Sequence, residues 1–323
     1  MKAITVNNTA NFPLKWSEVP DPELKDQEVL VEVHATSVNR ADLLQRNGNY
    51  PPPKGASPYL GLEVSGVIVS LGKTSSNFSI GDRVCSIVPG GGYAELAAVD
   101  SRYLMELPES LSYAEGGALS EVFLTAYVNL FMEATLKKHE TVLIHGGASG
   151  VGTAAIQMAA LHGSKVCVTA RSERKLKACQ KLGADILINH TENDWPQTLE
   201  SKVGGVDVIL DCVGSDYFTQ NISLLNLKGR LVCIATITGT SACVDLSILM
   251  RKRLRLIGSV LRTRSASEKA EIVKCFKNQF GNALVERKIM PTIDSVMRIE
   301  NTEDAHFHLQ HYKNIGKIVL MVR

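Results

Sequence analysis

No two of the seven cysteines, at positions 85, 167, 179, 212, 233, 243 and 275, stand in C-x-x-C spacing, and their number is odd. No disulfide framework is legible in that pattern. Several of them lie in strand-like apolar runs ("KVCVTA", "VILDCVG", "RLVCIAT"), where a free thiol behaves as a small hydrophobe. Buried, reduced thiols point to the cytosol or another reducing compartment. An excess of one charge is lacking as well. The 323 residues carry a net charge of +2, too small an imbalance to imply nucleic acid or a membrane surface as a partner. No apolar run approaches the roughly 20 residues needed to span a bilayer. The opening "MKAITV" alternates like a strand and has no apolar core followed by a small-residue cleavage site, so a cytoplasmic chain is expected. Repeats and low-complexity tracts are missing too.

What is present is 45% hydrophobic and 21% charged, the balance of an ordinary globular protein long enough for two domains. The first third is rich in short apolar or alternating runs ("KAITV", "EVLVEVHATSV", "SGVIVSLG", "DRVCSIV", "YAELAAV") punctuated by Pro, Gly, Asp and Asn. That texture predicts a mostly antiparallel β domain. Near Tyr113 the period becomes helical, and from Glu140 onward strands and helices alternate. "TVLIHG", "KVCVTA", "DILINH", "VDVILDC" and "RLVCIAT" read as buried strands. "VGTAAIQMAALHG" reads as a helix stopped by Gly163, and "SERKLKACQKLG" as one capped by Ser172 and stopped by Gly183. Repeated βα units with near-continuous apolar strands predict an α/β fold with a doubly wound parallel sheet. The tail returns to strand texture in "PTIDSVMRI" and "GKIVLMV".

The stretch "HGGASGVGTAA" follows an apolar strand and opens a helix, the context a dinucleotide turn requires. Laid on G-x-G-x-x-G it reads Gly147-Ala148-Ser149-Gly150-Val151-Gly152, with serine at the middle glycine. Gly147 fills the tight-turn role and Gly152 the close-packing role. The Ser149 hydroxyl is able to donate to a phosphate oxygen, and the helix N-terminus after Gly150 supplies free N–H groups and the positive dipole end. The strand "KVCVTA" ends in "RSERK", not in the carboxylate that an NAD site places on the ribose 2′-OH. Arg171, Ser172, Arg174 and Lys175 suit a 2′-phosphate, with Glu173 the one dissenting charge, so NADPH is the expected cofactor.

Taken together, the segments "VNRADLLQRNGNYPPPKGAS", "GLEVSG", "IGDRV", "PGGGYAEL", "GGASGVGTAAIQMA", "ILDCVG" and "NIGKIVL" resemble the medium-chain dehydrogenase/reductase superfamily over essentially the whole chain. Within it they are most similar to the zinc-free quinone oxidoreductases, in particular the p53-inducible branch. The resemblance implies a GroES-like β domain at 1–119, a Rossmann NADPH-binding domain at 120–262 and a return to the first domain at 263–323. It also implies a homodimer, for which the apolar run "RLVCIATITG", near an expected sheet edge of the nucleotide domain, is the candidate contact.

Zinc-dependent relatives carry a Cys ligand where this chain has Asn39 and a His where it has Leu62. Neither replacement suits zinc, and Glu63 alone does not hold it. The four close cysteines of a structural zinc lobe are missing, since none stands between Cys85 and Cys167. Without a Lewis acid an alcohol is not readily deprotonated at neutral pH, which leaves electron-poor acceptors such as quinones and enones. The resemblance places Asn39 and Tyr50 beside the nicotinamide as acceptor-orienting residues. It places Thr125 and Gly214 on the cofactor, Ser149, Gly150 and Val151 on the pyrophosphate, and Lys175 on the 2′-phosphate. His190 stands where relatives carry a Tyr near that phosphate, and Asn314 and Lys317 are expected to return to the cofactor.

Other readings remain open at this stage. Tyr50 also reads as loop packing, and Asn39 as the cap of a helix starting "RADLLQR". Asp42 and Glu63 read as scaffold carboxylates paired with Arg40 and Arg46. "HFHLQH" at 306–311 reads as a surface helix and not as a metal site, and "RKRLRLIGSVLRTR" at 251–264 as exposed ends around a buried strand. No Ser-His-Asp set or poised carboxylate pair is legible, so hydride transfer without a dedicated protein acid is expected. The competing functions are reduction of α,β-unsaturated aldehydes or ketones at the same site, and non-catalytic NADPH binding.

Overall fold

The structure is a computed structural model that describes residues 1–7, 12–74, 77–192 and 194–323. It divides into two units, residues 1–124 with 262–323, and residues 125–261. The first stretch carries β1 (Lys2–Val6), β2 (Leu14–Glu18), β3 (Glu28–Ser37), α1 (Arg40–Arg46), β4 (Glu63–Leu71), β5 (Arg83–Ile87), β6 (Leu96–Asp100), β7 (Met105–Glu106), α2 (Tyr113–Gly116) and α3 (Ser120–Tyr127). The middle stretch carries β8 (Thr141–Ile144), α4 (Gly150–His162), β9 (Lys165–Ala170), α5 (Glu173–Lys181), β10 (Ile186–Asn189), α6 (Trp195–Val203), β11 (Val206–Asp211), α7 (Ser215–Leu224), β12 (Leu225–Cys233), α8 (Leu246–Lys252) and β13 (Arg255–Gly258). The last carries α9 (Ala266–Val285), β14 (Ile293–Arg298), α10 (Thr302–Gln310) and β15 (Lys317–Met321).

In the first unit, seven strands include the path β14-β15-β3-β4-β5-β7, with β6 also paired to β3, while β1 and β2 form a separate hairpin. β14 and β15 pair in parallel; the other pairings of this sheet are antiparallel. The long strand β3 organises it. Its period-two pattern buries Val29, Val31 and Val33 completely against Val64, Ile68, Val84, Ala97 and Val99, and Ala35 against Ala118 and Val319. Each such valine withdrawn from water contributes roughly 1.5–3 kcal/mol. Gly66 in β4 faces a register shift in β3; a Cβ there would lie 1.9 Å from the Glu32 carbonyl oxygen, so only glycine allows the crossing.

In the second unit, six strands run in the order β10-β9-β8-β11-β12-β13, all parallel. Counted from β8, this is the 3-2-1-4-5-6 order of a doubly wound dinucleotide fold, with ligand sites outside the carboxyl ends of the strands. Val142, Leu143, Ile144, Val166, Cys167 and Val168 are fully buried, which is why these strands read as unbroken apolar runs. The architecture is therefore a GroES-like β unit and a Rossmann unit.

Two expectations about the end of this sheet are corrected. β12, which holds the first four residues of "RLVCIATITG", lies between β11 and β13 and is not the edge; β13 is. Nor is the strand inside the basic cluster buried: Arg255, Leu256 and Gly258 are exposed, and it is Arg262, from the end of that cluster, that is buried at 6% exposure. Among the described residues no helix is long and apolar enough to cross a membrane.

Candidate functional site

The glycine turn of the second unit is built from both of its flanks. β8 ends at Ile144 and leads to His145, whose ring is buried with Nδ1 3.0 Å from Thr169 Oγ1 and Nε2 2.8 Å from Asn221 Oδ1. Burial lowers its pKa, so a neutral ring ties the turn to β9 and α7. Gly146, not singled out from the sequence, adopts a φ of +63° and makes the reversal. A Cβ on Gly147 would lie 2.9 Å from Val168 Cβ, and one on Gly152 2.4 Å from the Gly146 carbonyl oxygen. These two glycines therefore let strand and helix close on the turn. Ser149 takes the N-cap of α4, where its Oγ accepts from the Gly152 N–H at 3.0 Å. The serine at the middle position thus caps the helix, and its hydroxyl hydrogen is left to donate.

Next to the turn, β9 delivers a basic rim. Ser172 caps α5, accepting from the Lys175 N–H at 3.4 Å. Glu173 is turned to an exposed pair with Lys177 at 3.6 Å, which removes the dissenting charge from the rim. His190 follows β10; burial lowers its pKa, and Arg171 and Lys175 both lower it further. The structure therefore brings Arg171, Lys175 and His190 within electrostatic reach of one another. Gly214 opens α7 with a φ of +96°, its N–H and that of Val213 held by the Asp211 carboxylate. A hollow of about 470 Å³ is lined by His190, but also by Glu192, Asp194 and Glu200, an acidic wall that suits no phosphate. Thr125 begins the unit, and its carbonyl accepts from Asn129 Nδ2 at 2.7 Å.

In the first unit, the C-terminal end of β3 opens on a buried polar cluster. Glu63, the first residue of β4, is fully buried. Its Oε1 accepts from Ser37 Oγ at 2.8 Å and Asn39 Nδ2 at 2.9 Å, and lies 2.9 Å from the Lys317 ammonium. Its Oε2 accepts from the Glu121 N–H at 3.0 Å. Lys317, 3% exposed, also donates to Asn39 Oδ1 at 2.6 Å and to the Val38 carbonyl at 3.1 Å. Asp42, fully buried, accepts from the N–H groups of Asn39 and Gly61 and from the Tyr93 hydroxyl. Burial raises its pKa to about 6, those hydrogen bonds opposing the rise. Glu121, at the start of α3, has its pKa raised to about 8, first by burial and then by the Glu63 carboxylate. Arg262 lies over the Tyr50 ring, 5.1 Å from its centroid, and donates to the carbonyls of Pro89 and Tyr50 and to Gln45 Oε1. The Tyr50 side chain is half-buried, and its hydroxyl makes no hydrogen bond among the described residues.

Several expected partners change. Arg40 packs on Tyr312 and Arg46 pairs with Glu303, so the carboxylates of Asp42 and Glu63 are held by Lys317, Asn39, Ser37, Tyr93 and backbone instead. Lys317 and Asn314, expected on the cofactor, spend their polar groups inside the unit: the ammonium has three protein acceptors, and the Asn314 amide donates to the Gly316 carbonyl at 2.6 Å. Asn39 caps α1 in an extended conformation, and its amide is committed to Glu63, Lys317 and the Ser37 carbonyl. His306, expected on the surface, is 1% exposed with Nε2 3.3 Å from the Tyr93 hydroxyl, and burial lowers its pKa to about 3. Sequence reading passed over Glu121 and Arg262. The one signal for Glu121 was a carboxylate opening the otherwise apolar helix "EVFLTAY".

This cluster does not fit a zinc ion. Leu62, where a His ligand would stand, is an apolar core residue 1% exposed, and every oxygen of Glu63 already accepts a hydrogen bond. A buried ammonium supplies the positive charge, so a divalent ion beside it would be repelled. Among the described residues no group of three or more His, Cys, Asp or Glu is placed to hold a metal.

Comparison with known proteins is consistent with this architecture. Residues 25–109 match the family described as "Alcohol dehydrogenase GroES-like domain" and residues 150–278 that described as "Zinc-binding dehydrogenase". The chain is 34% identical to a quinone oxidoreductase from Mus musculus over 315 residues, 95% of this chain and 92% of that one. Among solved structures, the Escherichia coli quinone oxidoreductase complexed with NADPH superposes with a TM-score of 0.88 at 25% identity, covering 99% of both chains. An NAD-dependent alcohol dehydrogenase gives 0.87 at 28% identity over the full length of both. The chain belongs to the medium-chain dehydrogenase/reductase superfamily, as an oxidoreductase related to its quinone oxidoreductases.

Proposed function

We propose that this protein is a quinone oxidoreductase that takes hydride from NADPH and works without a metal. The observation that carries the reading is the Lys317–Glu63–Asn39 cluster, which spends Glu63 and the residue at the Cys-ligand position on a buried ammonium and leaves no free ligand for a metal. With no Lewis acid to make an alkoxide, the substrate has to carry its own negative charge after hydride arrives, as a quinone does. Elemental analysis of active protein is expected to find far less than one zinc per chain; activity lost to a chelator and restored by zinc would refute this.

The nicotinamide, when bound, supplies the hydride. Gly147, Ser149, Gly150, Val151 and Gly152 would hold the pyrophosphate at the positive end of α4. Arg171, Ser172, Lys175 and His190 would hold the 2′-phosphate, which favours NADPH over NADH. The likeness to an NAD-dependent alcohol dehydrogenase pulls the other way; the lack of a carboxylate at the end of β9 argues against it. Thr125 and Gly214 would flank the nicotinamide half. Tyr50 orients the acceptor, donating from its uncommitted hydroxyl to the acceptor oxygen. Asn39 acts behind it, since its amide is already engaged by Glu63 and Lys317.

The test is Tyr50→Phe, assayed with 4-deuterated NADPH. Losing one such donor costs about 1–3 kcal/mol, roughly a 5- to 150-fold fall in kcat/KM. A clear isotope effect with reduced turnover is expected. Enones serve as a second acceptor class for the same site, and a panel of quinones and enones with NADPH and NADH ranks them. Tight NADPH binding with no turnover of any acceptor would favour a non-catalytic binding protein. The chain is further proposed to be cytoplasmic and to pair as a homodimer through the edge strand β13, near which Leu246, Met250 and Leu256 are exposed. A monomeric mass by light scattering at micromolar concentration would rule the dimer out.

A further inference from the structure

The polar cluster of the first unit contains one acid that the scaffold does not use. Glu63 has donors on both oxygens, and Asp42 has three donors of its own. The Tyr93 hydroxyl and His306 are sealed against each other. Glu121 differs. Its backbone N–H is fixed by Glu63, but its carboxyl makes no hydrogen bond or ion pair among the described residues, and its side chain is only partly buried. The cations that act on it are spent elsewhere. Lys317 is held by Glu63, Asn39 and the Val38 carbonyl, Arg262 donates to Pro89, Tyr50 and Gln45, and Lys269 donates to the Arg262 carbonyl and lies over Tyr103. None of them pairs directly with the Glu121 carboxyl. The carboxyl and the Tyr50 hydroxyl, neither with a hydrogen-bond partner among the described residues, lie within electrostatic reach of each other.

We propose that Glu121 is the proton donor of this site, handing its carboxylic proton to the acceptor as hydride reaches it. The proposal rests on the reading of the protein as a nicotinamide-dependent reductase, and it replaces the expectation that no protein acid takes part. The acceptor gains the hydride and its electron pair from NADPH, leaving NADP⁺ and an acceptor anion, a hydroquinone monoanion or an enolate. The O–H bond of Glu121 breaks as a new O–H or C–H bond forms on that anion, and the carboxylate recovers its proton from water.

The charges around Glu121 leave it protonated at neutral pH. Burial raises its pKa most; the Glu63 carboxylate on β4 and that of Asp42 on α1 raise it further. Lys317 on β15 and Arg262 ahead of α9 oppose them, with Lys269 on α9 and Tyr50 also facing it. The carboxyl therefore holds its proton up to about pH 8. An enone depends on that proton more than a quinone does, because an enolate is the stronger base and has to be protonated at carbon.

The experiment is Glu121→Gln, which keeps the shape and removes the proton, with Glu121→Asp as the conservative control. Parent protein is expected to lose kcat as pH rises through about 8, the acid being consumed. In Glu121→Gln that limb vanishes, kcat for an enone falls on the order of 100-fold at pH 7, and kcat for a quinone falls less. The NADPH dissociation constant stays that of the parent, and Glu121→Asp restores part of the rate. At pH 9 the glutamine variant melts no lower than the parent, since it has no desolvated carboxylate to ionise. Unchanged kcat with both acceptors, or a loss of rate that glutamine and aspartate share equally, would overturn the assignment. Failure of the parent itself to reduce any acceptor would instead overturn the reductase reading, and the proposal with it.

Discussion

Replacing Lys317 with methionine is expected to lower the stability of the protein by about 3–5 kcal/mol, the cost of stranding a buried charge. The ammonium is 3% exposed and serves three acceptors, Glu63 Oε1, Asn39 Oδ1 and the Val38 carbonyl. Methionine keeps the length and apolar stem but leaves Glu63 with no cation, in a place water does not reach. Asn39 loses the contact that fixes its carboxamide, and through it the start of α1. The change is read by thermal and chemical denaturation, with a fall in Tm on the order of 10 °C. Adding Glu63→Gln to Lys317→Met removes the stranded charge and is expected to recover part of the loss, because a neutral amide is far cheaper to bury than a carboxylate. A single variant as stable as the parent would show that Lys317 is not what holds this cluster together.

The second large effect is expected at the other end of the chemistry. Lys175→Glu puts a carboxylate beside Arg171 and His190 on the rim that follows β9. If that rim takes the 2′-phosphate, the substitution removes a charge-assisted hydrogen bond and adds repulsion. KM for NADPH should rise by roughly 10- to 150-fold, the equivalent of about 1.5–3 kcal/mol, while KM for NADH changes little. The Ser172 cap and the backbone of α5 are untouched, because the Ser172 hydroxyl accepts from the Lys175 N–H and not from its side chain. A loss of both cofactors alike would mean that the helix start had been disturbed. Equal use of NADPH and NADH by the parent protein would remove the basis of the reading.

Most of the second unit was legible because its determinants are local. A parallel strand covered on both faces has to be apolar throughout, so "TVLIHG", "KVCVTA" and "VDVILDC" announced themselves. Ser172 and Gly163 marked a helix start and a helix end because a cap satisfies backbone groups a few residues away. The edge of the sheet was misplaced, since strand order is set by which helix packs on which face, and the apolar run in β12 looks the same in the interior as at an edge. Gly146 was missed because a template of spacings does not say which glycine carries the positive φ.

The first unit shows where such reading stops. The sequence by itself determined that Asn39 and Leu62 stand where zinc-dependent relatives carry ligands, that the stretch 147–152 has the residues of a dinucleotide turn, and that strands and helices alternate from Glu140 onward. Each of these depends on residue type and near neighbours. Only the tertiary structure decided that Lys317 would lie 2.6 Å from Asn39, across 278 positions of chain, and that Ser37, Asn39, Lys317 and the Glu121 backbone would converge on Glu63. It also decided what each carboxyl is for. The same group is scaffold at Glu63, with donors on both oxygens, and is left without a donor at Glu121, where its pKa is raised, because the cost of charge is set by desolvation and by the donors that packing brings within reach.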